Sequence, residues 1–244
     1  MVLDKMPIQT AIGKTVAFEN PDMPKKIAAK QAKKLELMKN FGYFIVLEGI
    51  DGSGTTTQTK LLADYIYDKS KDNHIFMTRE PSISPYGKEI RKRLRTDKNP
   101  KENAEKYFEL FLHDREYHLK TQILPNLRNE VYVICDRYEL STYAYQQTQG
   151  ISANRIFNKH RELKIIHPDI TFLLDLDPEI SMGRVEKKGE AKEVFEKIEF
   201  QKELRKNYLE AVNKYINIFV IDSSKPVEEV HDGIVGILEK KLMV

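Results

Sequence analysis

A single cysteine, Cys135, stands among 244 residues, which excludes an internal disulfide and a cysteine metal cluster. No apolar run approaches the roughly 20 residues that a membrane-crossing helix needs. No charged-then-apolar leader opens the chain, so a reducing cytoplasm is the expected setting. Residues 1–40 contain no arginine, which disfavours an organelle import peptide. No internal repeat and no low-complexity linker interrupt the sequence. Excess charge is scarce as well. The formal net charge is +3, and residues 1–40 hold eight lysines against four acids, leaving about −1 for the rest. A nucleic-acid binder concentrates basic residues with interleaved aromatics on one face, so neither nucleic acid nor a membrane is expected as a partner.

What is present divides into two parts. Residues 1–40 read as an N-terminal extension, in which a lysine- and alanine-rich stretch from Pro24 to Asn40 is expected as a short helix. A regulatory or oligomer-forming arm and a loosely held tail both fit it. Residues 41–244 are expected to form one domain. There, short β-branched or aromatic runs alternate with long helical patterns: Tyr43 to Glu48, His74 to Thr78, Val131 to Cys135, Ile170 to Leu176 and Asn217 to Ile221. Continuous apolar strands separated by helices predict an α/β fold, a five-stranded parallel sheet covered on both faces. Ligands of such sheets bind beyond the carboxyl ends of the strands, so the residues just after each strand carry the functional argument.

The first strand runs into Gly49, Ile50, Asp51, Gly52, Ser53, Gly54, Thr55, Thr56 and Thr57, followed by a helical pattern. Glycines let backbone amides wrap an anion, the helix N-terminus adds positive potential, and the Thr56 hydroxyl suits a magnesium shell. The pattern GxxxxGK[ST] asks for lysine where Thr55 stands, so a strand-turn-helix without a phosphate role is the alternative reading. Further on, Arg79-Glu80-Pro81 follows the second strand. Phe111 and Arg115 share one helix face at spacing i, i+4. The third strand leads into DRYELSTYAYQ, from Asp136 to Gln146.

Together these strings resemble the thymidylate kinase family over about residues 43–240. FIVLEGIDGSGTTTQ is similar to that family's FIxxEGxDGxGKTTQ, with the lysine the main departure. The stretch from Arg79 to Arg91 is similar to REPGGTPxGxxIR, with Ser82 and Ile83 where the paired glycines stand. Phe111 to Arg115 resembles FxxDR, and Asp136 to Gln146 resembles DRYxxSxxAYQ. The resemblance implies a P-loop kinase with a lid at about 185–200, which phosphorylates dTMP with ATP and Mg2+ and pairs as a homodimer.

By the same resemblance the ATP site comprises Gly49, Ile50, Asp51, Gly52, Ser53, Gly54, Thr55, Thr56, Thr57, Arg184 and Lys192, and the metal is held at Thr56 and Asp136. The acceptor site comprises Arg79, Pro81, Phe111, Arg115, Arg137, Thr142, Tyr145 and Gln146. Phe111 would pack on the base, Arg115 and Arg137 would hold the acceptor phosphate, and Asp51 would orient acceptor or metal waters. The lid string, Lys188 to Lys197, is similar to RGEADRFEK but lacks its arginine, so lid lysines such as Lys192 are expected to supply the missing charge. With loop lysine and lid arginine both replaced, two alternatives stand beside an active thymidylate kinase. One is a kinase for another nucleotide, the other a catalytically impaired nucleotide-binding protein of the same fold.

Overall fold

A computed structural model of the protein describes residues 41–97, 101–188 and 198–242. The helix expected over 24–40, Lys192 and most of the lid segment lie outside these residues. The elements run β1 (Phe44–Gly49), α1 (Thr55–Lys69), β2 (Ile75–Arg79), α2 (Pro85–Thr96), α3 (Ala104–His118), a π-helical turn (Leu119–Ile123), α4 (Leu124–Arg128), β3 (Tyr132–Asp136), α5 (Glu139–Thr148), α6 (Ala153–Glu162), β4 (Ile170–Asp175), α7 (Pro178–Lys188), α8 (Ile198–Ala211), β5 (Ile218–Asp222) and α9 (Val227–Leu242). No helix among the described residues is long and apolar enough to cross a membrane.

The five strands form one sheet in the order β2-β3-β1-β4-β5, and every pairing is parallel. This is the doubly covered parallel sheet that the apolar runs predict. All six residues of central β1 are buried, and the pleat sends alternate side chains to opposite faces. Ile45 and Leu47 join Leu62 and Ile66 of α1 and Ile234 and Leu238 of α9 on one side. Phe44 and Val46 join Val133, Leu119, Ile123 and Leu127 on the other. Burying both faces holds the strand ends at fixed depth, and those ends position the site.

Four of the five strands end one residue later than their apolar runs suggest, at Gly49, Arg79, Asp136 and Asp222, and β4 ends at Asp175. A strand continues while its backbone finds partners, whatever the polarity of the side chain. Arg79 pairs with Asp136, and Leu47 pairs with Asp136 from the other side. Glycine or charged groups therefore close these strands along the carboxyl edge of the sheet.

Candidate active site

The loop from Gly49 to Thr56 leaves β1 and feeds α1. Gly54 at the cap and Gly52 both have left-handed backbones, with φ of 96° and 75°, a region open to glycine at little cost. A side chain at Gly52 would also stand 2.8 Å from the Ser181 carbonyl oxygen, because α7 packs directly on the loop. Ser181 Oγ donates to the Asp51 carbonyl at 2.5 Å. Arg184, one turn on, donates to the carbonyls of Ser223 at 3.0 Å and Gly52 at 3.4 Å. Its guanidinium thus lies between the loop and the exit of β5.

Thr55 occupies the first position of α1 and is buried, whereas Thr56 and Thr57 are exposed. Thr56 Oγ1 donates to Asp136 Oδ2 at 2.5 Å, joining the loop to the end of β3. The other oxygen, Asp136 Oδ1, is buried and has no hydrogen-bond partner, and Ser53 Oγ is in the same state. Buried polar atoms are rarely left unpaired, so an orphaned carboxylate oxygen beside a threonine hydroxyl suits a cation. Among the described residues no group of three or more His, Cys, Asp or Glu side chains could hold a metal alone.

Immediately after Asp136, Arg137 has φ of 71°, a left-handed backbone that costs a non-glycine residue about 1–2 kcal/mol. Its amide donates to the Leu47 carbonyl at 2.8 Å, which secures the turn. The turn aims the side chain back across the phosphate loop, where Nη2 donates to Asp51 Oδ1 at 2.6 Å and Nη1 to the Tyr145 and Tyr208 hydroxyls at 3.3 Å each. Glu48, fully buried at the end of β1, accepts from the Tyr138 amide at 2.7 Å, the Ser141 amide at 3.2 Å and Ser141 Oγ at 2.6 Å. Burial raises the Glu48 carboxyl, and these donors with Arg137 oppose the rise.

A second network lies beneath α3. Arg115 is 1 % exposed. Its Nε and Nη2 donate to Glu80 Oε2 at 3.0 and 2.6 Å, Nη2 also to the Tyr138 carbonyl at 2.6 Å, and Nη1 to Thr142 Oγ1 at 2.8 Å. His118 Nδ1 meets the other Glu80 oxygen at 3.2 Å. Burial alone would push the Glu80 carboxyl up, but Arg115 and His118 hold it below its ordinary range.

The loop after Pro81 is tied to α3 as well. Asp114 accepts from the Ser82 amide at 2.7 Å and from the Ser82 and Ser84 hydroxyls. Ser84 caps α2 by accepting from the Gly87 amide at 2.9 Å.

A model of the thymidylate kinase family matches residues 47–234. The probable thymidylate kinase of Pyrococcus horikoshii is 37 % identical over 206 residues, which cover 83 % of this chain and 98 % of that protein. The probable thymidylate kinase of Methanocaldococcus jannaschii is 42 % identical over 197 residues, covering 80 % and 95 %. The thymidylate kinase of Wolbachia pipientis is 36 % identical over 204 residues, covering 81 % and 96 %. This chain belongs to the thymidylate kinase family.

In this family member, Asp51, Thr56, Asp136, Arg137 and Tyr145 converge on one seam between β1 and β3. Thr142 and Gln146 are both 1 % exposed. Thr142 faces Arg115, and Gln146 Nε2 donates to Gln149 Oε1 at 3.1 Å. Phe111 is half-buried against Ile90, Leu94 and Tyr107, in a cluster that also takes in Tyr145 and Phe200. Arg79 and Pro81, with Phe76, Met77, Ile83 and Arg91, line a cavity of about 670 Å³ along the outer edge of β2, which no residue of the phosphate loop lines.

Four residues to which the sequence attaches no role prove structurally central: Glu48, Glu80, Asp114 and His160. The first three sit inside the family strings, which is the signal that could have found them. His160 carries no such signal.

Proposed function

We infer that this thymidylate kinase family member transfers the γ-phosphoryl group of ATP to dTMP, giving dTDP and ADP. One observation carries the reading: the Thr56–Asp136 and Arg137–Asp51 contacts join a phosphate-cradling loop to the Asp-Arg-Tyr string at adjacent strand ends. Phosphoryl transfer asks the protein chiefly for positioning and charge neutralisation, and this seam supplies both. Amides from Gly49 to Thr57 cradle the donor phosphates, and Arg184 lies against the adenosine side. Arg137, whose planar fork matches phosphate oxygens, receives the acceptor phosphate and exchanges part of its bond to Asp51 for it. Asp51 then orients the acceptor. An oxygen of the dTMP phosphate attacks the γ-phosphorus as the bond to the ADP oxygen breaks.

Thr56 and Asp136 would hold Mg2+, supported by the unpartnered Asp136 Oδ1. Bound there, it would offset negative charge on the donor phosphates. Arg115 has no donor left for a phosphate, so we assign it to the wall of the acceptor pocket with Thr142, Tyr145, Gln146 and Phe111. Residues 41–244 form the catalytic domain in this reading. The family resemblance further supports a homodimer.

A substrate panel tests the reading. With ATP and magnesium, kcat/KM for dTMP should exceed those for dUMP, dCMP, dGMP and thymidine. Preference for another acceptor on that panel would refute the assignment of dTMP.

A further inference from the structure

Arginine can only donate hydrogen bonds, and it has five N–H groups to place. Four of those in Arg115 go to Glu80, the Tyr138 carbonyl and Thr142. The fifth, on Nη1, meets His160 Nε2 at 3.1 Å. His160 is 4 % exposed and comes from α6, where Ile156, one turn earlier, is buried on the same side. An aliphatic residue would fill that place as well, yet the chain delivers a ring nitrogen to a buried guanidinium. Because Arg115 must donate, Nε2 must accept. The ring is then neutral with its proton on Nδ1, which lies 4.0 Å from Glu139 Oε2. Burial, Arg115 and His167 all push the His160 imidazole well below its ordinary range, which keeps it an acceptor.

We propose that His160 is a positioning residue for acceptor binding: it accepts the last free proton of Arg115 and so fixes the guanidinium that holds Thr142 in the wall of the acceptor pocket. This rests on the reading of that pocket as the dTMP site. Without the ring nitrogen, an Nη1 proton is left unpaired in a buried place, a costly state. The guanidinium turns to find another acceptor, and the Nη1 bond to Thr142 Oγ1 is the contact that moves with it. The donor side is untouched, since no atom of Arg115 or His160 is bonded to the phosphate loop among the contacts described.

The test uses the full chain and separates KM from kcat. His160→Leu should raise KM for dTMP about fivefold or more, the scale of an unpaired buried donor, while KM for ATP and kcat stay within about twofold. His160→Gln, whose amide oxygen can accept from Nη1, should recover most of the loss. Should the leucine variant not fold, His160→Asn, polar but too short to reach Nη1, takes its place with the same expectation. An unchanged KM for dTMP, equal losses in the leucine and glutamine variants, or a parallel rise in KM for ATP would each overturn the proposal. A wild-type enzyme that turns over another monophosphate but not dTMP would instead bring down the functional reading beneath it.

Discussion

Arg137 reaches across the seam between two strands to hold Asp51 at 2.6 Å, from a backbone at φ of 71° that glycine would adopt more readily. Strain of this kind survives where surrounding contacts over-determine it, and here the Leu47 carbonyl and two tyrosine hydroxyls do so. In the proposed reaction, the pair keeps the Arg137 guanidinium ordered before substrate arrives. Arg137→Lys keeps the charge and loses the fork, so kcat/KM for dTMP should fall by about 100-fold, while ATP binding measured by calorimetry stays within about threefold. An equal loss in ATP affinity would show that Arg137 serves the donor instead.

Gly87 opens α2 against the loop that follows Pro81. A Cβ there would stand 2.1 Å from the Ser82 carbonyl oxygen and 2.9 Å from Asp114 Oδ1. Gly87→Ala must displace the Ser82 and Ser84 bonds to Asp114, at a cost of about 1–3 kcal/mol in unfolding free energy. Denaturant titration reads it directly, and a variant as stable as the parent would mean that the loop yields freely.

Two histidines near Glu139 should bend the stability–pH curve in opposite directions. For His167, burial disfavours the charged ring, but the Glu139 carboxylate at 2.8 Å outweighs it and the imidazole is raised from 6.5. That stabilisation is full below 6.5 and is lost as pH rises through the raised folded value. For His160 the folded value lies well below 6.5. Its contribution is therefore full above 6.5 and is lost as pH falls. Thermal melts from pH 5 to 9 should show His167→Gln flattening the alkaline decline and His160→Gln flattening the acid one. The reverse pattern would contradict both assignments.

Thr55 is the sharpest departure from a phosphate loop. It lies at the first turn of α1, where a lysine side chain would extend towards the transferred phosphates. Thr55→Lys should raise kcat by about tenfold or more, in line with the worth of one aligned charge in phosphoryl transfer. No gain would indicate that another cation already neutralises that position.

The sheet was legible because buried parallel strands announce themselves as apolar runs, and only their polar last residues, such as Arg79 and Asp136, escaped. The seam was legible too, since Gly52, Thr56, Asp136 and Arg137 carry chemistry at set spacings. Arg115 shows where reading residues stops. A motif arginine looks like a phosphate ligand until the tertiary structure surrounds it with Glu80, Thr142, Tyr138 and His160. Which carboxylates turn inward, such as Glu48 and Asp114, depends on partners 90 and 32 residues away. A lone histidine on a helix gives no hint that it will meet a guanidinium.

In the proposed reaction, a loop with threonine in place of lysine still transfers phosphate from this site to dTMP. ADP release on mixing the enzyme with ATP, magnesium and dTMP, alongside calorimetric binding of each nucleotide, decides the point. The expected result is sustained ADP release that requires dTMP and falls sharply in the Arg137→Lys variant. Tight binding of both nucleotides with no ADP release would contradict it and leave a nucleotide-binding protein without turnover.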